Sequence, residues 1–436
     1  MIDSIKERYQ QIKASDIAQR MRSGAFWSFT GTALGKFLVF LSGILCARIL
    51  GKEQFGQLGM VRSTLGMFII LGAGGIGVTA TRYIAAFRKE QQAHAASIYR
   101  MSFLFSLTLG IAITALALAT SQFLAADYLR APELTKPLLI GSVILLLSIL
   151  NSSENGTLAG LEDFKSIAIN TLIGSFFEAA CMVVGAYFYQ LEGAVAGFAI
   201  GVLCLYIANK LSAIKALNKA GISAYVKSVY KEDWALIFSY SIPATLSALT
   251  VTPVFWLVRS MLVRASNYGE LGIFEAADQW KVMLLFVPGA ICQIVLPIMS
   301  SITDYHTFRR ALIGNLALIG GIAALLACAS WFVAPILMPL YGRTFTDTAT
   351  LTALAFSTIP TALAQILEMT LYSREKMWTS FGFNIVWGIS TVAIAYLFLE
   401  NQQGAFGIAM AILLAYILKL LCMGSYLSII TKGGKP

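Results

Sequence analysis

Basic side chains recur inside stretches of this sequence that are otherwise apolar. Lys36 and Lys281 lie deep in such stretches, Arg62 lies about one turn inside one, and Arg48 and Arg259 lie near the ends of theirs. The chemistry that these groups offer is a charge-assisted hydrogen bond to an anionic oxygen. A charge at bilayer depth is costly unless it faces a protein interior or a water-filled cavity. The five residues therefore predict the wall of a cavity within the membrane.

Acidic side chains accompany these cations. Glu275 and Asp278 share a helix face with Lys281, which predicts either an internal ion-pair ladder or a purely structural Asp278–Lys281 pair. Arg62 corresponds to Glu275 in the repeat described below, so the two opposite charges are expected to face each other across the cavity. We expect them to form an ion pair when the outer end of the cavity closes. Glu178 lies at mid-depth with no partner nearby in the sequence. It is either a proton-coupling carboxylate or a neutral acid in the bundle core.

Some of the basic residues have a second interpretation. A long Lys or Arg side chain near the end of a span can extend to the lipid headgroups. For Arg48 and Arg259 this interpretation stands beside a role in the lumen. It is the expected one for four residues near the predicted cytoplasmic helix ends, namely Arg82, Arg100, Lys210 and Lys419.

The elements that position these side chains must be membrane-spanning helices. Of the 436 residues, 58% are hydrophobic and 12% are charged, whereas soluble domains average about 45–50% apolar and about 25% charged residues. A hydrocarbon core roughly 30 Å thick requires about 20 helical residues for each crossing. The apolar stretches resolve into about twelve such segments, near 25–50, 57–85, 98–124, 136–160, 166–190, 192–217, 234–262, 270–300, 311–338, 348–372, 377–398 and 402–428.

The two halves of the chain resemble each other. Phe55-Gly56-Gln57-Leu58-Gly59 reappears as Tyr268-Gly269-Glu270-Leu271-Gly272, and Thr157-Leu158 reappears as Thr370-Leu371, both at an offset of 213 residues. The chain is therefore expected to be a duplication with six spans in each half. An even number of spans gives both halves the same orientation. The predicted fold class is an all-α polytopic membrane protein, with two six-helix bundles related by an axis along the membrane normal.

Charge in the connections predicts the orientation. Connections assigned to one side hold eighteen Lys and Arg residues, and those on the other side hold five. The positive-inside rule places the richer side and both termini in the cytoplasm, and the net charge of +10 then reflects topology rather than a nucleic-acid surface. The expected segments are an amphipathic N-terminal segment (1–23), an N-terminal bundle (24–217), an amphipathic linker (218–233), a C-terminal bundle (234–428) and a tail (429–436).

Several functional classes receive no support from the sequence. The six cysteines show no paired spacing, and the two histidines lie in connections, so neither a metal site nor a cofactor site is expected. A phosphate-binding loop and a stretch long enough for an ATPase domain are also missing from the sequence. We therefore expect a transporter rather than an enzyme, driven by an ion gradient, the membrane potential or the substrate's own gradient.

A family resemblance appears at the end of the first predicted helix. The residues Ala47-Arg48-Ile49-Leu50-Gly51-Lys52-Glu53-Gln54-Phe55-Gly56 form an ARxLGxxxFG pattern within the stretch 24–85. Together with Tyr341-Gly342 and the glycine motifs at Gly193 and Gly404, this pattern resembles the polysaccharide transporter branch of the multidrug/oligosaccharidyl-lipid/polysaccharide (MOP) exporter superfamily, particularly the O-antigen flippases.

The resemblance implies a flippase that moves an undecaprenyl-pyrophosphate-linked oligosaccharide to the outer leaflet of a bacterial inner membrane by alternating access. The cationic lumen of the family would comprise Lys36, Arg48, Arg62, Arg259 and Lys281, with Glu178, Glu275 and Asp278 in coupling or gating. H+ or Na+ is the candidate coupling ion, membrane lipids surround the protein, a glycan polymerase is a candidate partner, and a monomer is expected. A multidrug cation antiporter and a membrane glycan-joining enzyme are the alternatives.

Overall fold

The molecule is built from long helices. The computed structural model describes residues 16–73, 75–224, 230, 249–301, 304–374 and 376–432. In this part of the chain the regular structure is helical throughout, with three short 3-10 or π-helical turns between the α-helices. The α-helices are α1 (Asp16–Ala73), α2 (Ile76–Phe87), α3 (Gln92–Gln122), α4 (Thr135–Gly160), α5 (Phe164–Lys219), α6 (Thr252–Ala265), α7 (Tyr268–Ser301), α8 (Tyr305–Leu337), α9 (Thr348–Ser373), α10 (Met377–Glu400) and α11 (Gly404–Lys432).

Two helical stretches are long enough to cross a bilayer twice. Phe29–Phe87 and Phe164–Lys219 hold 59 and 56 residues, whereas one crossing needs about 20. Each contains a sharp bend, at Gly51 (φ 72°) and at Gln190 (φ 50°). The bends divide α1 into a first arm (16–50) and a second arm (52–73), and α5 into a first arm (164–188) and a second arm (191–219). With these divisions, described helices lie in all twelve of the apolar stretches predicted to be spans. Helix α6 covers only the end of the seventh, whose predicted start at 234 lies outside the described residues.

The duplication is visible in the backbone. Left-handed residues occur at matching points of the two halves, at Arg130 and Gly342 and again at Gln190 and Gln402. Each pair is 212 residues apart, close to the offset of the sequence repeat. Such residues end one span and redirect the chain into the next, so the two halves turn at equivalent places. The duplication inferred from the sequence is therefore confirmed by the positions of these turns.

The expected segment boundaries fall only partly within the described residues. Helix α1 already begins at Asp16, so residues 16–23 of the expected N-terminal segment continue directly into the first span. Residues 1–15, half of the linker 218–233 and the last four residues of the tail lie outside the described part. In the linker, α5 continues to Lys219.

Aspartates begin three of the helices. The carboxylates of Asp163, Asp304 and Asp347 accept hydrogen bonds from backbone N–H groups in the first turns of α5, α8 and α9. Such caps satisfy donors that have no partner within the helix. At Asp304, hydrogen bonds from the Thr307 hydroxyl and backbone also hold the pKa of the carboxyl below its usual value.

The two halves pack tightly at one end of the bundle. We call this the Gly51 end, because it holds the bend at Gly51 and the α6–α7 connection, and we call the opposite end the His94 end. A Cβ added at Gly56 would overlap the carbonyl oxygen of Tyr268, and one added at Gly272 would overlap that of Lys52. Small residues allow such close contact between helix backbones. The duplicated glycine motif thus joins α1 to α7, and we call this contact the glycine seal.

Large apolar side chains cover the outer surface of the helices. Leu325, Phe332 and Trp378 are each more than 70% exposed. Contiguous apolar surface of this kind is rare on soluble monomers and marks contact with membrane or protein. Together with the span lengths, it indicates a surface in contact with lipid acyl chains.

The glycine seal predicts a contrast between two identical substitutions in α7. Gly272→Ala should destabilise the protein by about 1–3 kcal/mol, because the added methyl group must push two backbones apart. Gly289→Ala should have little effect, because a Cβ at Gly289 has no neighbour within 4 Å. Thermal unfolding of the two purified variants in detergent would measure the difference, and equal unfolding midpoints would contradict the tight contact.

Candidate functional site

A cavity of about 790 Å³ lies between the two halves. One wall comes from both arms of α1 and the first arm of α5, and the other comes from α6, α7, α9 and α11. Seven of the eight charged residues singled out from the sequence line it, and they are its only charged residues in the described part of the chain: Lys36, Arg62, Glu178, Arg259, Glu275, Asp278 and Lys281.

In the N-terminal half, the cavity holds an ion pair between Arg62 and Glu178. The guanidinium donates to the Glu178 carboxylate at 3.0 Å, and it also lies over the Phe198 ring. The cross-lumen pair expected between Arg62 and Glu275 is therefore wrong for this conformation, although the halves meet at the Gly51 end. The physical reason is that each of these two groups already has a partner within its own half.

In the C-terminal half, Arg259 holds two carboxylates. Its guanidinium donates to Glu275 at 2.5 Å and to Asp278 at 3.0 Å. Lys281, one turn further along α7, lies 3.3 Å from Asp278, so the expected Asp278–Lys281 pair is confirmed. Arg259 is only 12% exposed. Arg259, Glu275, Asp278 and Lys281 form a continuous network, because charges this buried need compensation.

Lys36 differs from the other cations of the cavity. Among the described residues, no carboxylate lies within ion-pair distance of its ammonium, which instead lies 5.2 Å from the centre of the Phe286 ring. The side chain is exposed to the cavity opening. The other three cations of the cavity are matched by three carboxylates. The described lining therefore carries one positive charge in excess, at Lys36.

Arg48 lies away from the cavity. Its Nε donates to the carbonyl oxygen of Leu340 at 2.5 Å, in the 3-10 turn Met338–Tyr341 that follows α8. This bond joins the two halves at the Gly51 end, beside the ring contacts of Phe55 with Tyr341 and Phe345. The structure therefore corrects the expectation that Arg48 is part of the lumen, because its guanidinium belongs to the closed end.

Two further lysines are ion-paired inside the bundles. Lys210 donates to Glu154 at 2.7 Å, and Lys419 donates to Glu368 at 2.8 Å. The expectation that they extend to headgroups is wrong, because Lys419 is only 5% exposed and Glu154 is fully buried. The sequence gives no indication of these two pairs, because the partners are 56 and 51 residues apart.

Neutral polar groups complete the cavity wall. Gln279 and Gln365 line it, and the Tyr341 hydroxyl donates to the Gln279 side chain at 3.1 Å. Trp256 crosses from the C-terminal half and donates its indole N–H to the Thr64 hydroxyl at 3.1 Å. Amides and hydroxyls can both donate and accept hydrogen bonds, so the wall can bind hydroxyl-rich groups as well as anions.

The charged groups of the cavity are suited to binding an anion. No group of three or more His, Cys, Asp or Glu residues in the described ranges has the geometry of a metal site. The arginines can exchange a carboxylate for a phosphate oxygen, since both are bound through the same bidentate hydrogen bonds. The cavity therefore offers charged groups from both halves to an anion, close to the glycine seal.

Comparison with known proteins agrees with this geometry. A family model described as "Polysaccharide biosynthesis protein" matches residues 21–303. The EPS I polysaccharide export inner membrane protein EpsE of Ralstonia nicotianae is 22% identical over 394 residues, which is 87% of each chain. EpsE of Ralstonia solanacearum is 26% identical over 195 residues, covering 43% of this chain and 44% of its own.

Solved structures show the same architecture. An inward-facing multidrug resistance MATE transporter of the MOP superfamily matches with a TM-score of 0.78 at 17% identity, covering 93% of this chain and 99% of its own. A MOP superfamily transporter from Pyrococcus furiosus, described as having a binding pocket of reverse polarity, matches with a TM-score of 0.71 at 16% identity over 97% of both chains. At these identities the likeness shows the fold. The chain thus belongs to the polysaccharide biosynthesis protein family of membrane transporters and has the two-bundle fold of the MOP superfamily.

Proposed function

We propose that this protein is a flippase for a lipid-linked oligosaccharide with an anionic headgroup, an undecaprenyl-pyrophosphate-linked repeat unit of a surface polysaccharide. The observation that carries the proposal is the cavity between the halves, with its excess positive charge at Lys36 and its glycine seal at one end. The family and the export function named for the relatives in Ralstonia agree with a polysaccharide-related substrate. A transport role requires no catalytic group, in keeping with a cavity that binds without reacting.

The orientation follows from the positive-inside rule. The connections at the His94 end carry most of the Lys and Arg residues of the loops, which supports a cytoplasmic location for that end and for both termini. The glycine seal then closes the cavity on the outer side, so the conformation described here accepts substrate from the inner leaflet. We propose the bacterial inner membrane as the location, as the names of the relatives also indicate.

The headgroup would enter beside Lys36. This lysine lies at the seam between the first arm of α1 and α7, where Phe29 contacts Phe286 with ring centres 5.2 Å apart. A pyrophosphate needs charge-assisted donors to leave the headgroup region. Lys36 supplies the first, and Arg62 supplies a second when it exchanges Glu178 for a phosphate oxygen. The prenyl chain stays in the lipid outside the seam, while the sugars contact Gln279 and Gln365.

Release to the outer leaflet requires the glycine seal to open. In this proposal the arginines are held by carboxylates while the cavity is empty, namely Glu178, Glu275 and Asp278. The same ion pairs form again once the substrate has left. The membrane potential, negative inside, can drive the cycle, because outward movement lowers the free energy of an anion by about 2.3 kcal/mol per charge per 100 mV. We expect a monomer, with a glycan polymerase as the candidate partner that receives the product.

Substitution of the unpaired lysine tests the proposal. Lys36→Ala should lower translocation of a lipid-linked glycan in liposomes by about tenfold to a hundredfold, the equivalent of losing one charge-assisted contact of about 1.5–3 kcal/mol. Lys36→Arg should retain part of the activity. Lys215→Ala, which removes an exposed lysine of α5 outside the cavity, serves as the matched control. Full activity of Lys36→Ala would overturn the site, and efflux of a cationic drug or a change in glycan linkage would favour the antiporter or the enzyme.

The pairing pattern predicts a contrast in stability between two cavity cations. Arg259→Ala should destabilise the protein by about 3–5 kcal/mol, because two buried carboxylates lose their shared partner. Lys36→Ala should leave stability nearly unchanged, because its ammonium compensates no described carboxylate. Thermal unfolding in detergent measures both. A similar loss of stability in the two variants would show that Lys36 is also paired.

A further inference from the structure

Each half of the molecule contains a carboxylate that is bound by a lysine of its own bundle, and it is fully buried in the N-terminal half and 15% exposed in the C-terminal half. In the N-terminal half, Lys210 donates to Glu154 at 2.7 Å and to the Tyr99 hydroxyl at 2.8 Å. In the C-terminal half, Lys419 donates to Glu368 at 2.8 Å and to the Asn384 side-chain oxygen at 2.6 Å. None of these residues lines the cavity, so the substrate site leaves both clusters unexplained.

The two clusters occupy equivalent places. Glu154 and Glu368 lie on α4 and α9, which are the fourth spans of their halves, and Lys210 and Lys419 lie on the sixth spans. The glutamates are 214 residues apart and the lysines 209, close to the 213-residue repeat. The C-terminal cluster is also next to the cavity, because Gln365 and Tyr416, each one turn away along α9 and α11, line its wall.

The surroundings of each ammonium are those of a small cation site. A carboxylate oxygen and a neutral oxygen face it directly, and aromatic rings cover it, with Phe103 at 4.1 Å from Lys210 and Trp387 at 5.8 Å from Lys419. Oxygen donors of these two kinds also bind hard metal cations, and ring faces attract any cation. Removing the ammonium would leave the carboxylate buried and uncompensated, at considerable cost.

We propose that Lys210 and Lys419 are resident cations, which occupy in each bundle the position that a free sodium ion would otherwise take. The covalently attached ammonium neutralises the carboxylate throughout the cycle, so neither bundle needs to take up Na+ in order to move. Shortening either lysine should open a Na+ site at the same oxygens. The part of this inference that concerns the transport cycle rests on the proposed flippase function, whereas the binding part does not.

Sodium-dependent thermal unfolding tests the binding part. For purified wild-type protein, the unfolding temperature should be the same in sodium chloride as in choline chloride of equal ionic strength. The same should hold for Lys215→Ala. Lys419→Ala should unfold several degrees lower in choline, and it should recover part of that loss as Na+ is added, because a ligand that binds only the folded state raises its stability. Lys419→Met, whose side chain fills the space, and the double variant Lys419→Ala/Glu368→Gln should show no such recovery.

Each outcome decides the question. Na+-dependent stabilisation of the wild type, or no Na+ response in Lys419→Ala, would overturn the proposal. If Lys419→Ala yields no folded protein, Lys210→Ala provides the same test in the other half. In liposomes, wild-type translocation should be equal with Na+ or choline on either side, and a loss in choline would overturn the inference for the cycle. Failure to translocate in every buffer would instead refute the flippase function, while the unfolding result would still decide the binding part.

Discussion

The constraint on which the rest of this structure depends is the cost of placing charge inside a membrane. Within the described residues, the deep cations fall into two kinds. Most have a carboxylate partner in their own half, as Arg62 has Glu178 and Arg259 has two acids. Lys36 has none, and it faces the cavity between the halves. Because the paired charges are compensated within their own bundle, the two bundles can move relative to each other without separating an ion pair.

The contact between the bundles is of a different kind. At the Gly51 end it consists mainly of close backbone packing at Gly56 and Gly272 and of ring contacts around Phe55. In lipid, such packing has no hydrophobic driving force behind it, because acyl chains are as apolar as the side chains they replace. The glycine seal is therefore stabilised by van der Waals packing of complementary surfaces and by a few hydrogen bonds, such as that of Arg48 with Leu340. Interactions of this type are suited to a closure that must be reversible.

Much of the architecture could be predicted from the sequence, because the signals are local. Span length, apolar composition and the duplicated glycine motif each depend on a few neighbouring residues. The charged residues within the apolar stretches likewise predicted which helices line the cavity. The Asp278–Lys281 pair could be predicted because its residues are one turn apart, whereas the partner of Arg62 could not, because Glu178 is 116 residues away. The expectation that Lys210 and Lys419 extend to the headgroups is wrong for a related reason. A lysine near a helix end has the same sequence context whether it reaches the headgroups or a buried glutamate, and only packing separates the two.

The bend at Gly51 gives the first arm of α1 a mechanical property. A side chain at Gly51 would meet no neighbouring atom within 4 Å, so crowding at the bend itself places no limit on the angle between the two arms. Lys36 lies fifteen residues from this pivot, at the end of a lever about 22 Å long. A swing of about 20° would displace the ammonium by about 8 Å at that radius. In the proposed transport cycle, a rotation at this one glycine would carry Lys36 along with the headgroup while the paired charges stay in their bundles.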